Sequence, residues 1–148
     1  MGFGEAVRSF FQRYTDFQGR SRRAEYWWPM LMNLVINWGL SAIAIAIGGG
    51  FAAYSSFQLN ALGWVFYGAS IIWGLAVLIP GIAVSVRRLH DRNMSGWLLL
   101  AFLVGLIIPL INIIAFIAFI VIMALPGTVG PNKYGADPKG GHDVGVFS

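Results

Sequence analysis

The residues with the clearest chemical potential lie in one short segment of the sequence. Residues 87–92 contain Arg87, Arg88, His90, Asp91 and Arg92. A histidine beside an aspartate suits acid–base catalysis or metal binding if further ligands converge on the pair. Adjacent residues on a helix or strand point apart, however, and only His142 supplies a second imidazole. We therefore predict no catalytic residue, no metal site and no cofactor.

Other signatures of catalysis are missing from the sequence. The chain has no cysteine, which excludes disulfides, thiol nucleophiles and iron–sulfur ligation. It also lacks a phosphate-binding P-loop, a zinc-protease helix and the Gly-x-Ser-x-Gly elbow of hydrolases. We expect a protein that is not an enzyme.

The arginines suggest a structural role for the charged residues. Lysine orients a membrane segment as well as arginine does, whereas the planar guanidinium binds carboxylates and phosphates through two parallel hydrogen bonds. We hypothesise that Glu25 and Asp91 pair with arginines from the opposite basic segment, that the tail closes over them, and that the remaining arginines face lipid phosphates. The predicted polar cluster comprises Arg20, Arg22, Arg23, Glu25, Arg87, Arg88, His90, Asp91, Arg92, Asn132 and Tyr134. Interface anchors are predicted at Trp27, Trp28 and Trp97.

Composition indicates that lipid is the solvent of this chain. Of its 148 residues, 57% are hydrophobic and 11% are charged, which is too little polar surface for a soluble globule of this size. The net charge of +4 raises the question of nucleic-acid binding, but the arginines flank apolar runs rather than forming a separate polar module. We predict an all-α polytopic membrane protein, a single membrane domain over residues 1–148, that binds no nucleic acid.

The elements follow from hydrophobic periodicity. Apolar residues at helical spacing predict an amphipathic interfacial helix over residues 1–19, with packing on a partner as the alternative. Membrane spans are predicted at 27–48 and 61–86, with a kink or break at Pro80. The first run begins too late and is too long for a cleavable signal, so we expect an uncleaved anchor. A short ionic loop is predicted at 87–97.

The second half of the chain allows two topologies. The apolar run after residue 94 is too long for one upright span, and Pro109 lies in its middle. We prefer a hairpin of two short spans, 94–109 and 111–125, which gives about four spans, over one steeply tilted helix. A glycine- and proline-rich tail covers 126–148.

Charge predicts the orientation. The basic residues lie in residues 1–26, 87–92 and the tail, and the first two groups are separated by two spans. Both therefore face the cytoplasm by the positive-inside bias. With a hairpin, both termini are cytoplasmic, whereas a single tilted helix would place the tail outside.

Three blocks of sequence carry a family resemblance. They are FQGRSRRAEYWW at 17–28, VRRLHDRNMSGW at 86–97 with Ile108-Pro109 downstream, and GTVGPNKYGADP at 127–138. On these blocks the chain resembles the domain-of-unknown-function 805 family, small bacterial inner-membrane proteins with about four spans. One departure is Asn112, where the family often has glycine, which bears on the tightness of the predicted turn. The resemblance implies a bacterial plasma membrane and an inward-facing tail.

Three functions remain open from sequence. We favour an accessory or assembly subunit that binds other membrane proteins, or itself, together with anionic lipid headgroups. The alternative is a small-solute carrier or channel, for which Asn33 and Asn37 supply polar groups within a span, although no span contains an ionisable residue. The least favoured is an enzyme that acts on lipid headgroups through His90 and Asp91.

Overall fold

A computed structural model of the chain describes residues 1–139, and the regular structure within this range is helical, without a strand. His142 and the end of the tail lie outside the described residues. The helices are α1 (Phe3–Gln12), α2 (Arg23–Gly48), α3 (Phe51–Ser55), α4 (Ala61–Asp91), α5 (Leu98–Ile107) and α6 (Ile111–Ala124). Within the described range, α2 and α4 are long and apolar enough to cross a bilayer, while α5 and α6 are shorter apolar helices.

The end of α4 corrects the predicted loop at 87–97. The helix is continuous past Pro80, so no break occurs there, and it includes Arg87 through Asp91. It ends because Asn93 adopts a left-handed conformation with φ 57°. The Asn93 N–H donates to the His90 carbonyl at 2.9 Å, and the Met94 N–H donates to the Leu89 carbonyl at 2.9 Å. This pattern closes a helix C-terminus, so only residues 92–97 connect α4 to α5.

The chain divides into two compact units. The first comprises Met1–Pro29 and the described part of Pro80–Ser148, and the second comprises Met30–Ile79. In the first unit, α5 and α6 form an antiparallel hairpin, because Phe102 contacts Phe119 at 5.5 Å between ring centroids while Gly105 lies beside Ala115. The chain reverses around Pro109 with Leu110 in a left-handed conformation (φ 69°), so residues 94–125 are not one tilted helix.

The second unit consists of the C-terminal part of α2, the short helix α3 and the N-terminal part of α4, which pack around a tight helix connection. A Cβ on Gly63 would lie 2.6 Å from the Gly48 Cα, so the two glycines allow the backbones to touch. The Asn60 side chain donates to the Ile47 carbonyl at 2.7 Å and accepts from the Gly63 N–H at 2.9 Å. One residue therefore caps the end of α2 and the start of α4.

Candidate functional site: a buried arginine cluster

Asp91, in the last turn of α4, is the centre of the polar cluster. Its Oδ1 is 2.9 Å from an Nη2 of Arg20, and its Oδ2 accepts a hydrogen bond from Arg88, one turn earlier on α4. The side chains of Arg20, Arg88 and Asp91 are all buried. A carboxylate shared between two guanidiniums offsets part of the cost of burying these charges, because each oxygen has a charged donor.

The tail wraps around the same carboxylate. Arg20 donates to the carbonyls of Thr128 and Gly130, and the Thr128 N–H donates to the Asp91 carbonyl at 2.7 Å. A side chain at Gly127 would overlap the Asp91 carboxylate, so glycine is required there for steric reasons. The ion pair between Arg20 and Asp91 thus joins the N-terminal segment, the end of α4 and the tail.

Glu25, at the start of α2, is bound differently from the prediction. Its carboxylate accepts hydrogen bonds from Ser9 at 3.1 Å and Ser21 at 3.3 Å, and lies 3.4 Å from Arg13. The expected pairing of Glu25 with Arg87 or Arg88 is therefore wrong within residues 1–139. Ser21 stands between them, since its hydroxyl also accepts from Arg87 Nε at 2.8 Å.

Arg87 is fully buried in the first unit. Its hydrogen-bond partners are neutral groups, while the nearby carboxylates of Asp16 and Glu25 favour its charged form. It donates to Ser21 and to the carbonyls of Arg13 at 3.1 Å and Asp16 at 2.6 Å, while one terminal nitrogen has no partner within residues 1–139. Carbonyl oxygens satisfy a guanidinium's donors without neutralising its charge. The positive charge acts on its surroundings. Burial raises the pKa of Asp16. Hydrogen bonds from Arg13 and the Gln18 N–H, together with the charges of Arg13 and Arg87, lower it by more, so the pKa of Asp16 lies below its usual range.

His90 makes three contacts, and none of them involves the side chain of its neighbour Asp91. Its Nδ1 lies 2.9 Å from the Gly19 carbonyl, and its ring stacks on Tyr134 with centroids 3.9 Å apart and planes 5° apart. The Asn132 amide donates to the His90 carbonyl at 2.9 Å. The structure therefore brings Asn132 and Tyr134 onto the end of α4, where His90 and Asp91 have different partners.

The C-terminus of α6 is the other part of the cluster. A helix end exposes carbonyls without intrahelical donors, and cations near it interact favourably with the helix dipole. Here Arg88 donates to the carbonyls of Met123 and Leu125. The remaining donors are Arg23 to Ala124, Trp27 to Met123, and Arg92 to Pro126. Arginines thereby fix the end of the hairpin beside the end of α4.

Burial separates the predicted cluster residues into two groups. Arg20, Arg87 and Arg88 are buried and cannot face lipid phosphates. Arg23 is exposed, and Arg22 and Arg92 are partly exposed. Among the predicted anchors, Trp28 and Trp97 are exposed, whereas Trp27 is half-buried and binds the end of α6.

Sequence reasoning missed several cluster residues, namely Ser9, Arg13, Asp16, Ser21, Gly127 and Thr128. The Arg13–Asp16 pair, 2.8 Å apart, has the three-residue spacing of a local ion pair and was detectable. The two serines and Thr128 act through short polar groups or backbone, for which the sequence carries no distinguishing signal.

Comparison with known proteins identifies the family of this chain. The family described as a protein of unknown function, DUF805, matches residues 14–136, which contain almost all of the cluster. The chain belongs to this family. It is 33% identical to the inner membrane protein YhaI of Escherichia coli K12 over 134 residues, which cover 90% of this chain and 94% of the relative. It is likewise 33% identical to the inner membrane protein YhaH of the same organism over 132 residues, covering 86% and 91%.

These relatives support a location in the bacterial inner membrane, as the resemblance implied. No solved structure matches the chain. The two long apolar helices and the two short ones agree with membrane-protein relatives.

Proposed function

We propose that the chain is a non-enzymatic accessory or assembly subunit that binds other membrane proteins, or a second copy of itself, and anionic lipid through its cytosolic arginine-rich face. In this proposal α2 and α4 cross the membrane and both termini are cytoplasmic. The arms α5 and α6, which the sequence predicts as a third and a fourth span, have 10 and 14 residues and are shorter than a hydrocarbon core of about 30 Å. We therefore propose, in place of four full spans, that this hairpin enters the membrane and returns to the same side. The N-terminal helix α1 lies in the headgroup region, which its exposed aromatics Phe3 and Phe11 favour.

The proposal rests on the groups that the buried charges of the cluster bind. Arg20, Arg88 and Asp91 bind one another and the tail, so they serve to hold distant segments together. The result is a fixed surface on which the side chain of Arg23 is exposed and that of Arg22 is partly exposed. A preordered cationic surface binds an anionic partner without the entropic cost of ordering itself.

The apolar helix faces offer a second contact surface for a membrane partner. On α2, Val35 and Trp38 are exposed, with exposed fractions of 63% and 71%. In a bilayer such faces contact lipid or another transmembrane helix, and helix association there relies on close packing.

Affinity purification of the full chain in mild detergent, followed by mass spectrometry, tests the accessory role. We expect a protein partner at stoichiometric amounts and retained anionic lipid with the wild type, and at least a several-fold loss of both in the double variant Arg22→Gln/Arg23→Gln. The variant Lys139→Gln, in the tail, is the matched control for loss of an exposed cation. A wild-type protein that purifies alone, or a partner that the double variant retains, would overturn the role assigned to this face.

A second candidate function, a small-solute carrier or channel, is favoured by an open pocket in the second unit that carries several polar side chains. Its volume is about 370 Å³, and its lining combines polar side chains such as Asn37, Ser41 and Ser70 with a larger apolar area that includes Ile71 and Leu75. Asn37 donates to the Ser70 carbonyl at 3.3 Å, which links α2 and α4 at this level. Solute flux into proteoliposomes that falls in Ser41→Leu would support transport, whereas flux equal to that of empty liposomes would exclude it.

A further inference from the structure

A groove in the first unit borders the arginine cluster at His90 and Tyr134, but none of the cluster's arginines line it. Its volume is about 540 Å³, within the range of small-molecule sites. One wall is a straight face of α4 formed by Ile82, Val86 and His90, which are four residues apart, and the other is the α5 face that carries Leu99 and Leu103. From His90 to Ile82 the groove extends on the order of 12 Å, at about 1.5 Å per residue.

The polarity of the groove changes along its length. Its polar side chains, among them His90, Ser95 and Tyr134, lie at the end near the connection between α4 and α5. The other end is lined by aliphatic side chains. Trp97, at the polar end, has 78% of its surface exposed, as expected of a residue at the boundary between headgroups and hydrocarbon. This grading matches a molecule with a polar head and an apolar chain.

His90 presents a free hydrogen-bonding atom at the polar end. The Gly19 carbonyl accepts only, so Nδ1 carries the proton of this hydrogen bond. In neutral His90, Nε2 is then an acceptor, and it has no hydrogen-bond partner within residues 1–139. Gly96 keeps this atom accessible, because a Cβ there would lie 3.3 Å from Nε2 and 2.6 Å from Val86 Cγ1.

A positive charge lies near the polar end of the groove. The Lys133 ammonium lies 5.1 Å from the centre of the Tyr134 ring, which lines the groove. The basic residues of the whole chain lie in residues 1–26, 87–92 and the tail, so none belongs to the second unit. The polar end therefore complements a negative headgroup. An acyl chain that enters the groove exchanges contacts with bilayer hydrocarbon for van der Waals packing against the aliphatic side chains.

We propose that this groove between α4 and α5 is a binding site for one acyl chain of an anionic phospholipid, with the headgroup beside His90 and Lys133. The hydrocarbon chain lies along Val86 and Leu103, and a headgroup or glycerol hydroxyl donates to His90 Nε2. The site is distinct from the exposed arginines of the accessory role and stands without that role.

Photo-crosslinking tests the site in the full chain. Phosphatidylglycerol with a diazirine in one acyl chain is mixed at increasing mole fraction into phosphatidylcholine vesicles that contain the protein, and the labelled peptides are mapped. We expect saturable labelling of α4 and α5 around the groove, removed by excess unlabelled phosphatidylglycerol. Leu103→Trp, which fills the groove, should reduce it at least five-fold, and Val104→Trp on the exposed side of α5 should leave it unchanged.

Further arms separate the possible occupants. Lys133→Gln should abolish the preference for the phosphatidylglycerol probe over a phosphatidylcholine probe, while Lys139→Gln keeps it. Leu100→Trp serves as a second filled variant if Leu103→Trp does not fold. Labelling that rises linearly with mole fraction, equal labelling by both probes in the wild type, or cross-links from a photoreactive residue at position 100 to a second protein chain would each overturn the proposal.

Discussion

At the scale of single residues, the cluster depends on the geometry of the guanidinium rather than on positive charge. Arg88 donates to Asp91 and to two carbonyls at the end of α6, Met123 and Leu125. An ammonium at the end of a flexible chain does not reproduce three such directions at once. The distinction separates a structural role from simple orientation of the helix, because lysine satisfies the positive-inside bias equally well.

We predict that Arg88→Lys lowers the free energy of unfolding by about 1–3 kcal/mol for each buried acceptor left without a donor. Thermal unfolding of the purified protein in detergent, followed by gel filtration, measures the change. Arg8→Lys is the control, because Arg8 is exposed on α1. Equal melting temperatures for Arg88→Lys and the wild type would show that Arg88 contributes only a positive charge that orients the helix, and no specific hydrogen-bond geometry.

A second residue-scale prediction concerns pH and the tail. The Asp137 carboxylate accepts from the N–H groups of Gly130 and Lys139, each at 2.9 Å. Burial raises the pKa of Asp137. These hydrogen bonds and the charges of Arg20 and Lys139 lower it by more, so the pKa of Asp137 lies below its usual value. The tail is therefore stabilised at any pH above the unfolded value of about 4, and this stability is lost as the pH falls through the folded pKa.

We expect the amide NMR shifts of Gly130 and Lys139 to stay constant from about pH 7 to pH 5 and to change only below about pH 4. In Asp137→Asn the shifts should differ from those of the wild type at neutral pH and lose their acid transition. A transition centred above about pH 5 would show that the carboxylate is not stabilised as the contacts require.

At the scale of elements, periodicity located the apolar helices but not all of their ends. The sequence pattern placed a loop at 87–97 because charged residues after an apolar run mark a membrane boundary. In the structure α4 continues through Arg87 and Arg88, because carbonyls and a carboxylate bind their guanidiniums at the end of the helix. The sequence signal for the true end of α4 is the asparagine at position 93, a residue type that adopts the left-handed conformation at helix ends, as Asn93 does here.

The α5–α6 hairpin was predictable from the sequence. A proline in an overlong apolar run was enough to favour two helices over one, and the structure contains α5 and α6 with a reversal around Pro109. The partner of Glu25 was not predictable in the same way. Several donors of suitable charge lie near it in sequence, and only packing decides that Ser21 separates it from Arg87.

The helix connection in the second unit gives an element-scale prediction. Asn60→Ala removes the cap of α4 and a donor to α2, so we expect a loss of about 1–2 kcal/mol and faster hydrogen exchange at the Gly63 amide. Asn60→Asp keeps the acceptor for Gly63 but loses the donor to Ile47, and should fall between Asn60→Ala and the wild type. Gln58→Ala, at an exposed position in the same connection, is the control. Equal exchange at Gly63 in all variants would contradict the double cap.

At the scale of the whole molecule, charge is confined to one of the two compact units. The second unit, Met30–Ile79, has no charged residue, while the first contains the ion pairs that join Arg20 and Asp91 to the tail. This separation supports our proposal that both termini and the cluster lie on the cytoplasmic side. The depth that the hairpin reaches follows from helix length instead.

Single-cysteine labelling tests this topology without background, since the chain has no cysteine. The arms α5 and α6, of 10 and 14 residues, measure about 15 and 21 Å, against a hydrocarbon core of about 30 Å. A membrane-impermeant maleimide should therefore label Phe57→Cys only from outside and Lys139→Cys only from inside, and should not label Leu110→Cys from either side. Labelling of Leu110→Cys from outside would mean that the hairpin crosses a thinned bilayer and that the chain has four spans. Labelling of Lys139→Cys from outside would overturn the cytoplasmic tail, and with it the cytoplasmic placement of every residue that the tail binds.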